Sequence, residues 1–227
     1  MTYDEWLFKD RVIFTRQEKT GNHVRARSQN TQLALLIWRF FCLAYWLGSE
    51  INWWYQYRED IYWNGIYLSI WAWYTTGIFF AFVCTAHIRH DFLGEEVPRD
   101  STSFFQLWKL CHMLNGLLIN VNIWVTILFW ALLFSQGMGL GFIDYGQHLF
   151  PITASIVDFS LNRMVVDFNH WHIVLCYGAA YLIFSFVWAK TVKPVYFFAT
   201  YDSFYSWATL LSILIASTAA FFAIYYA

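Results

Sequence analysis

Four residues able to do chemistry fall inside apolar stretches of the chain. Ser69 lies near the start of YLSIWAWYTTGIFF, and His148 opens HLFPITASIVDF, with Asp158 ten residues further on. Arg39 sits inside LIWRFFCLAYW. A hydroxyl and an imidazole are the materials of a nucleophile and its general base. A carboxylate and a guanidinium in apolar surroundings are tolerable as an ion pair with satisfied hydrogen bonds, and costly apart. The sequence thus carries one pair suited to reaction and one suited to a structural intramembrane polar network.

Positioning these residues is the work of apolar helices. Of the 227 residues, 59% are hydrophobic and 13% charged, and the apolar runs recur along the whole chain, so the fold class is all-α, a polytopic membrane protein. A transmembrane helix needs about 20 apolar residues, and six segments come near that length, at roughly 33–48, 66–86, 104–134, 148–165, 172–189 and 204–226. Residues 1–32 form a polar N-terminal tail and 33–227 a six-helix transmembrane domain. Trp and Tyr cluster at the segment ends, including Trp53, Trp54, Tyr55, Tyr62 and Trp63 before the second, where amphipathic rings favour the membrane interface.

Lys and Arg set the orientation. The tail and the loops on its side hold ten of them, against three (Arg58, Lys190, Lys193) on the other side. Both termini are therefore expected on the cytosolic side of an endomembrane, or the matrix side of the mitochondrial inner membrane. The tail lacks the pattern of a cleaved secretory signal, so the first span reads as an uncleaved anchor. Acidic residues offset much of the tail's charge, and a nucleic-acid partner has no support; membrane lipids are the expected neighbours.

Depth then relates the four residues. The fourth segment runs inward from the less basic side, which puts His148 near that surface and Asp158 about 15 Å deeper, level with Arg39. Arg39 and Asp158 are expected to pair. Ser69, about one turn into the second segment, is level with His148. Its bland role would be a hydrogen bond to a neighbouring helix backbone; its sharper role is as a nucleophile.

The sequence Tyr67-Leu68-Ser69, the sequence Gly146-Gln147-His148, the acidic residue at Asp158 and the stretch DFSLNRMVVDFNHWHIVLCYGAAYLIFSFVW together resemble the membrane family of the androgen-induced gene product and the rolling stone protein. The resemblance covers most of residues 33–210 and rests on order and spacing. It implies an intramembrane hydrolase of lipid esters, notably fatty-acid esters of hydroxy fatty acids, that uses a Thr and a His. By position the Thr falls on Ser69 and the His on His148. Leu149 and Phe150 stand where the family has a polar pair, and the spacing to Pro151 is shorter. Oxyanion donors are sought in Asn64 or Gln147.

The other chemistry-bearing residues receive structural roles. HIRHD at 87–91 has the helical spacing of a metal site, but the scattered histidines supply no further box, and His87, Arg89 and His90 read as a headgroup-facing helix end. His112, Asn115, Asn120 and Asn122 form a polar stripe for interhelical hydrogen bonds. Cys42, Cys84, Cys111 and Cys176 make no C-x-x-C pattern and read as small core residues. No metal or cofactor is expected. The alternative to the enzyme is a non-catalytic accessory subunit of a large membrane complex, such as a respiratory complex, whose other subunits hold the polar tail in place.

Overall fold

A computed structural model describes residues 32–57, 65–91, 93, 107–133, 142–162, 164, 166–196 and 198–226. Every regular element among them is helical. The helices are α1 (Gln32–Tyr57), α2 (Leu68–Asp91), α3 (Leu107–Leu128), α4 (Phe142–Leu161), α5 (Trp171–Thr191) and α6 (Phe204–Tyr226). A π-helical turn, Phe129–Leu133, continues α3, and a 3₁₀ turn, Phe168–His170, leads into α5. Asp167 caps that turn by accepting from the Asn169 amide at 2.8 Å.

Among the described residues, five helical stretches are long and apolar enough to cross a membrane: Leu33–Gln56, Leu68–Arg89, Leu107–Ala131, Phe168–Thr191 and Phe204–Tyr225. α4 falls outside this set. It carries Asp144, Gln147, His148, Pro151 and Asp158, and its polar positions His148, Ser155 and Asp158 are buried.

The boundaries correct the sequence reading in two places that matter. α1 continues nine residues beyond 48, carrying Ser49, Glu50 and Asn52 on the helix. α4 begins at Phe142, six residues before His148, and ends at Leu161. Asp158 therefore occupies the last turn of α4 rather than its middle, and His148 lies about 9 Å inside its start. Both members of the ion pair sit toward the end of the bundle where α1 begins and α4 finishes.

α3 is the central helix, packed against α2, α4, α5 and α6, while α1 lies on α2 and α4. Its apolar stretch is 61% buried, against 11% for α6. One core joins Cys42, Phe79, Phe80, Val83, Cys111 and Leu118; another joins Ala72, Leu117, Val121, Val174 and Phe221. Gly77 permits the close approach of α1 and α2, since a Cβ there would fall 2.2 Å from the Trp46 ring. On the outside, α5 and α6 expose Ile183, Val187, Phe204, Leu211 and Ile215. An apolar outer face of that extent suits helices whose surroundings are themselves apolar. Cys42, Cys84 and Cys111 are buried, but Cys176 is exposed, so the core role assigned to it does not hold.

Candidate active site

The first turn of α2 leaves its own hydrogen-bonding groups to outside partners. The Leu68 amide donates to Tyr196 Oη at 3.1 Å, and the Ile70 and Trp71 amides donate to the Tyr67 carbonyl. Trp71 Nε1 occupies the Gly65 carbonyl at 2.8 Å, the acceptor four residues before Ser69. Elsewhere Thr75, Thr76, Thr85, Ser155 and Ser160 return their hydroxyls to the carbonyl four residues back. Among the described residues the Ser69 hydroxyl forms no hydrogen bond.

His148 reaches the same region from α4. Thr126 Oγ1 donates to its carbonyl at 2.8 Å, fixing the α3–α4 register. Its ring stacks on Phe129, with centroids 3.5 Å apart and planes 11° apart, which sets the imidazole plane. Phe129 is the first residue of the π-helical turn, a local distortion often found at functional sites. The side chain is 8% exposed.

Ser69 and His148 line one cavity of about 100 Å³, together with Trp124, Tyr177, Tyr181 and Tyr196. No hydrogen bond joins Ser69 to His148. The cavity runs between α3, α5 and α6 from Leu128 to Asn120, about 12 Å of helix rise. Gly178 lines it, and a Cβ there would lie 2.5 Å from Leu214 Cδ1, so the missing side chain lets α6 approach. Only a few polar groups interrupt an apolar wall, as in sites for small molecules with long apolar parts.

Tyrosines gather at the Ser69 end. Tyr181 Oη donates to the Ile66 carbonyl at 2.8 Å, and Tyr177 Oη lies 3.2 Å from Thr75 Oγ1. Burial pushes the Tyr196 hydroxyl above its usual range, so it stays protonated near neutrality. The segment bearing Tyr196 is fixed by Tyr201, whose backbone is left-handed at φ 60°. Ser206 Oγ accepts the Tyr201 amide at 3.0 Å, and Ser185 meets the Tyr201 hydroxyl. These contacts hold a conformation that is unusual for a bulky residue.

At the opposite end of the bundle, Arg39 and Asp158 form a two-pronged pair. Nε donates to Oδ1 at 2.7 Å and Nη2 to Oδ2 at 3.2 Å, the fork geometry that gives Arg–carboxylate pairs their strength. Asn162 Nδ2 also donates to Oδ2, at 2.7 Å. His87 Nδ1 accepts from Arg39 Nη1 at 3.4 Å, since guanidinium can only donate. His87 is 1% exposed. This corrects its placement at a headgroup-facing helix end; Arg89 is exposed.

The structure brings Arg39 to Asp158, and places Ser69 and His148 on the lining of one cavity. The asparagine stripe links helices: Asn122 Nδ2 meets Ser155 Oγ at 2.9 Å, and Asn120 Nδ2 meets the Ser217 carbonyl at 2.8 Å. Gln147 does not serve the Ser69 cavity; it lines a separate one beside α1. Asn64, like the side chain of His90, lies outside the described residues. Tyr177, Gly178, Tyr181 and Tyr196 were missed in the sequence, although the first three lie within the stretch DFSLNRMVVDFNHWHIVLCYGAAYLIFSFVW and Tyr196 follows it.

No family model, curated protein or solved structure matches the chain.

Proposed function

We propose that the chain is an integral membrane protein of six transmembrane helices that hydrolyses fatty-acid esters taken from the bilayer. The observation that carries this reading is the sharing of one apolar cavity by Ser69, whose hydroxyl has no hydrogen-bond partner among the described residues, and by buried His148. α4 is the sixth span. It crosses as an interior helix, with His148, Ser155 and Asp158 turned toward other helices rather than lipid.

In the proposed reaction, Ser69 Oγ adds to the ester carbonyl carbon while its proton passes to the His148 imidazole. The alcohol leaves with that proton, and water repeats the sequence on the acyl-enzyme. The hydrogen bond between Ser69 and His148 closes in the substrate complex, as catalytic bonds commonly tighten at that stage. The Ser69 amide is the donor best placed for the oxyanion. It lies in the first turn of α2, at the positive end of the helix dipole, and its neighbours' amides are already taken. Asp158 takes no part, being held by Arg39 at the other end.

The accessory-subunit reading drew on the N-terminal tail, and residues 1–31 lie outside those described. The cavity favours the enzyme. The test is labelling of the purified full chain by a fluorophosphonate, together with release of fatty acid from a neutral ester. Both signals should disappear in Ser69→Ala and in His148→Ala with helix content unchanged. Hydrolysis persisting in Ser69→Ala would refute the assignment. Engineered cysteines at 52–57 and 138–146 should label from the side opposite the termini, which tests the six-span topology.

A further inference from the structure

A second cavity, of about 40 Å³, opens between α1, α2 and α4 and is lined by Tyr45, Ser49, Glu50, Asn52, Trp73 and Gln147. Its lining residues neighbour those of the first cavity along the chain: Gln147 precedes His148 on α4, and Trp73 stands one turn after Ser69 on α2. Glu50 is its most distinctive residue, an acid inside the apolar stretch Leu33–Gln56. Trp73 Nε1 donates to Glu50 Oε1, and Tyr74 Oη donates to Oε2 at 3.1 Å. Both donors are neutral. Among the described residues no Lys, Arg or His pairs with Glu50.

The contrast with Asp158 defines what is missing. Asp158 receives a guanidinium and an amide; Glu50 receives two neutral hydrogen bonds and retains acceptor capacity on each oxygen. An acidic residue inside an apolar span calls for a partner of opposite charge. The rest of the polar lining, Tyr45, Ser49, Asn52 and Gln147, carries hydroxyl and amide groups that accept as well as donate. Tyr45 and Trp73 meet edge to face, with ring centroids 6.3 Å apart, and aromatic walls favour a cation.

We infer that this cavity binds a primary ammonium group, with Glu50 as its counter-charge. An ammonium carries three donors and no acceptor, which matches a lining rich in acceptors. Its head is close in size to a water molecule, whose share of liquid volume is about 30 Å³, so it fits the space that Glu50 faces. A trimethylammonium head is larger and donates no hydrogen bond. Glu50 is seven residues before the end of α1, and Gln147 five residues after the start of α4. In a membrane this depth is within reach of an aminolipid headgroup; a soluble amine offers the same chemistry. The inference stands whether or not Ser69 is a nucleophile.

Native mass spectrometry of the full chain in detergent tests it, with dioleoylphosphatidylethanolamine and dioleoylphosphatidylcholine supplied in equal amounts. The ethanolamine lipid should exceed the choline lipid about tenfold in the adducts. Glu50→Gln, which keeps shape and one acceptor oxygen, should bring the ratio to parity. If that variant does not fold, Gln147→Leu should lower the ratio at least threefold. A thermal shift with free ethanolamine, in nanodiscs of the choline lipid alone, separates the sources. A rise in Tm there, absent in Glu50→Gln, assigns the site to a soluble amine. Equal lipid binding by the wild type with no ethanolamine shift overturns the inference, as does a preference that survives both substitutions.

Discussion

The two ends of this bundle use polar residues in opposite ways. At one end Arg39, Asp158, Asn162 and His87 satisfy one another across three stretches of chain. At the other, Ser69 faces a cavity with its hydroxyl uncommitted, and Glu50 is held by neutral donors alone. A saturated network fixes helices in register, and its members have nothing left to offer a ligand. An unsaturated group beside a cavity is poorer for stability and available for binding or reaction.

The sharpest way to break that contrast is to exchange the readouts. Loss of Ser69 should abolish hydrolysis, by at least about a thousandfold in kcat/KM, while leaving Tm nearly unchanged because no hydrogen bond is removed. Loss of Asp158 should do the reverse. Asp158→Ala strands Arg39 in a buried site and should cost about 3–5 kcal/mol of stability, read as a large fall in Tm. A Ser69→Ala chain that melts as early as Asp158→Ala would place Ser69 among the structural residues.

A smaller effect is expected along the cavity. Gly178→Leu puts a side chain where Leu214 now lies, and overpacking of this kind costs about 1–3 kcal/mol. Turnover should fall more for long-chain esters than for acetate esters, because the length of the cavity is lost while the Ser69 end is untouched. Equal losses for both would mean that the acyl chain does not enter between α5 and α6.

The smallest concerns Tyr196. Tyr196→Phe removes the acceptor of the Leu68 amide and should cost about 1 kcal/mol. Burial raises the hydroxyl's pKa in the folded state, so above about pH 10 the unfolded chain releases a proton that the folded chain keeps. Stability contributed below pH 10 is therefore lost as pH rises further, and Tyr196→Phe should flatten that alkaline decline in a pH series of melting curves. An unchanged slope would remove Tyr196 from its buried position.

Hydrophobic runs made six helices legible, because each apolar stretch demands an internally hydrogen-bonded backbone. The meeting of Arg39 with Asp158 was legible too, since isolation would be expensive for both, even though Asp158 falls in the last turn of α4 rather than at its middle. Their pairing depended on relative positions, and those survived the shift in boundaries. His87 was not legible: a histidine near a helix end gives no sign in sequence that a guanidinium on another helix will enclose it.

By itself, then, the sequence determined an all-helical chain with long apolar stretches, and it singled out which buried charges need one another. Tertiary structure decided where the polar groups remain unsatisfied. Tyr181, 115 residues beyond Ile66, takes the Ile66 carbonyl, and Tyr196, 128 residues beyond Leu68, takes the Leu68 amide. Glu50 on α1 takes its donors from Trp73 and Tyr74 on α2. Each outcome depends on which distant side chain reaches a given hydrogen-bonding group first. Periodicity along one helix carries no record of that competition, because its participants come from separate parts of the chain.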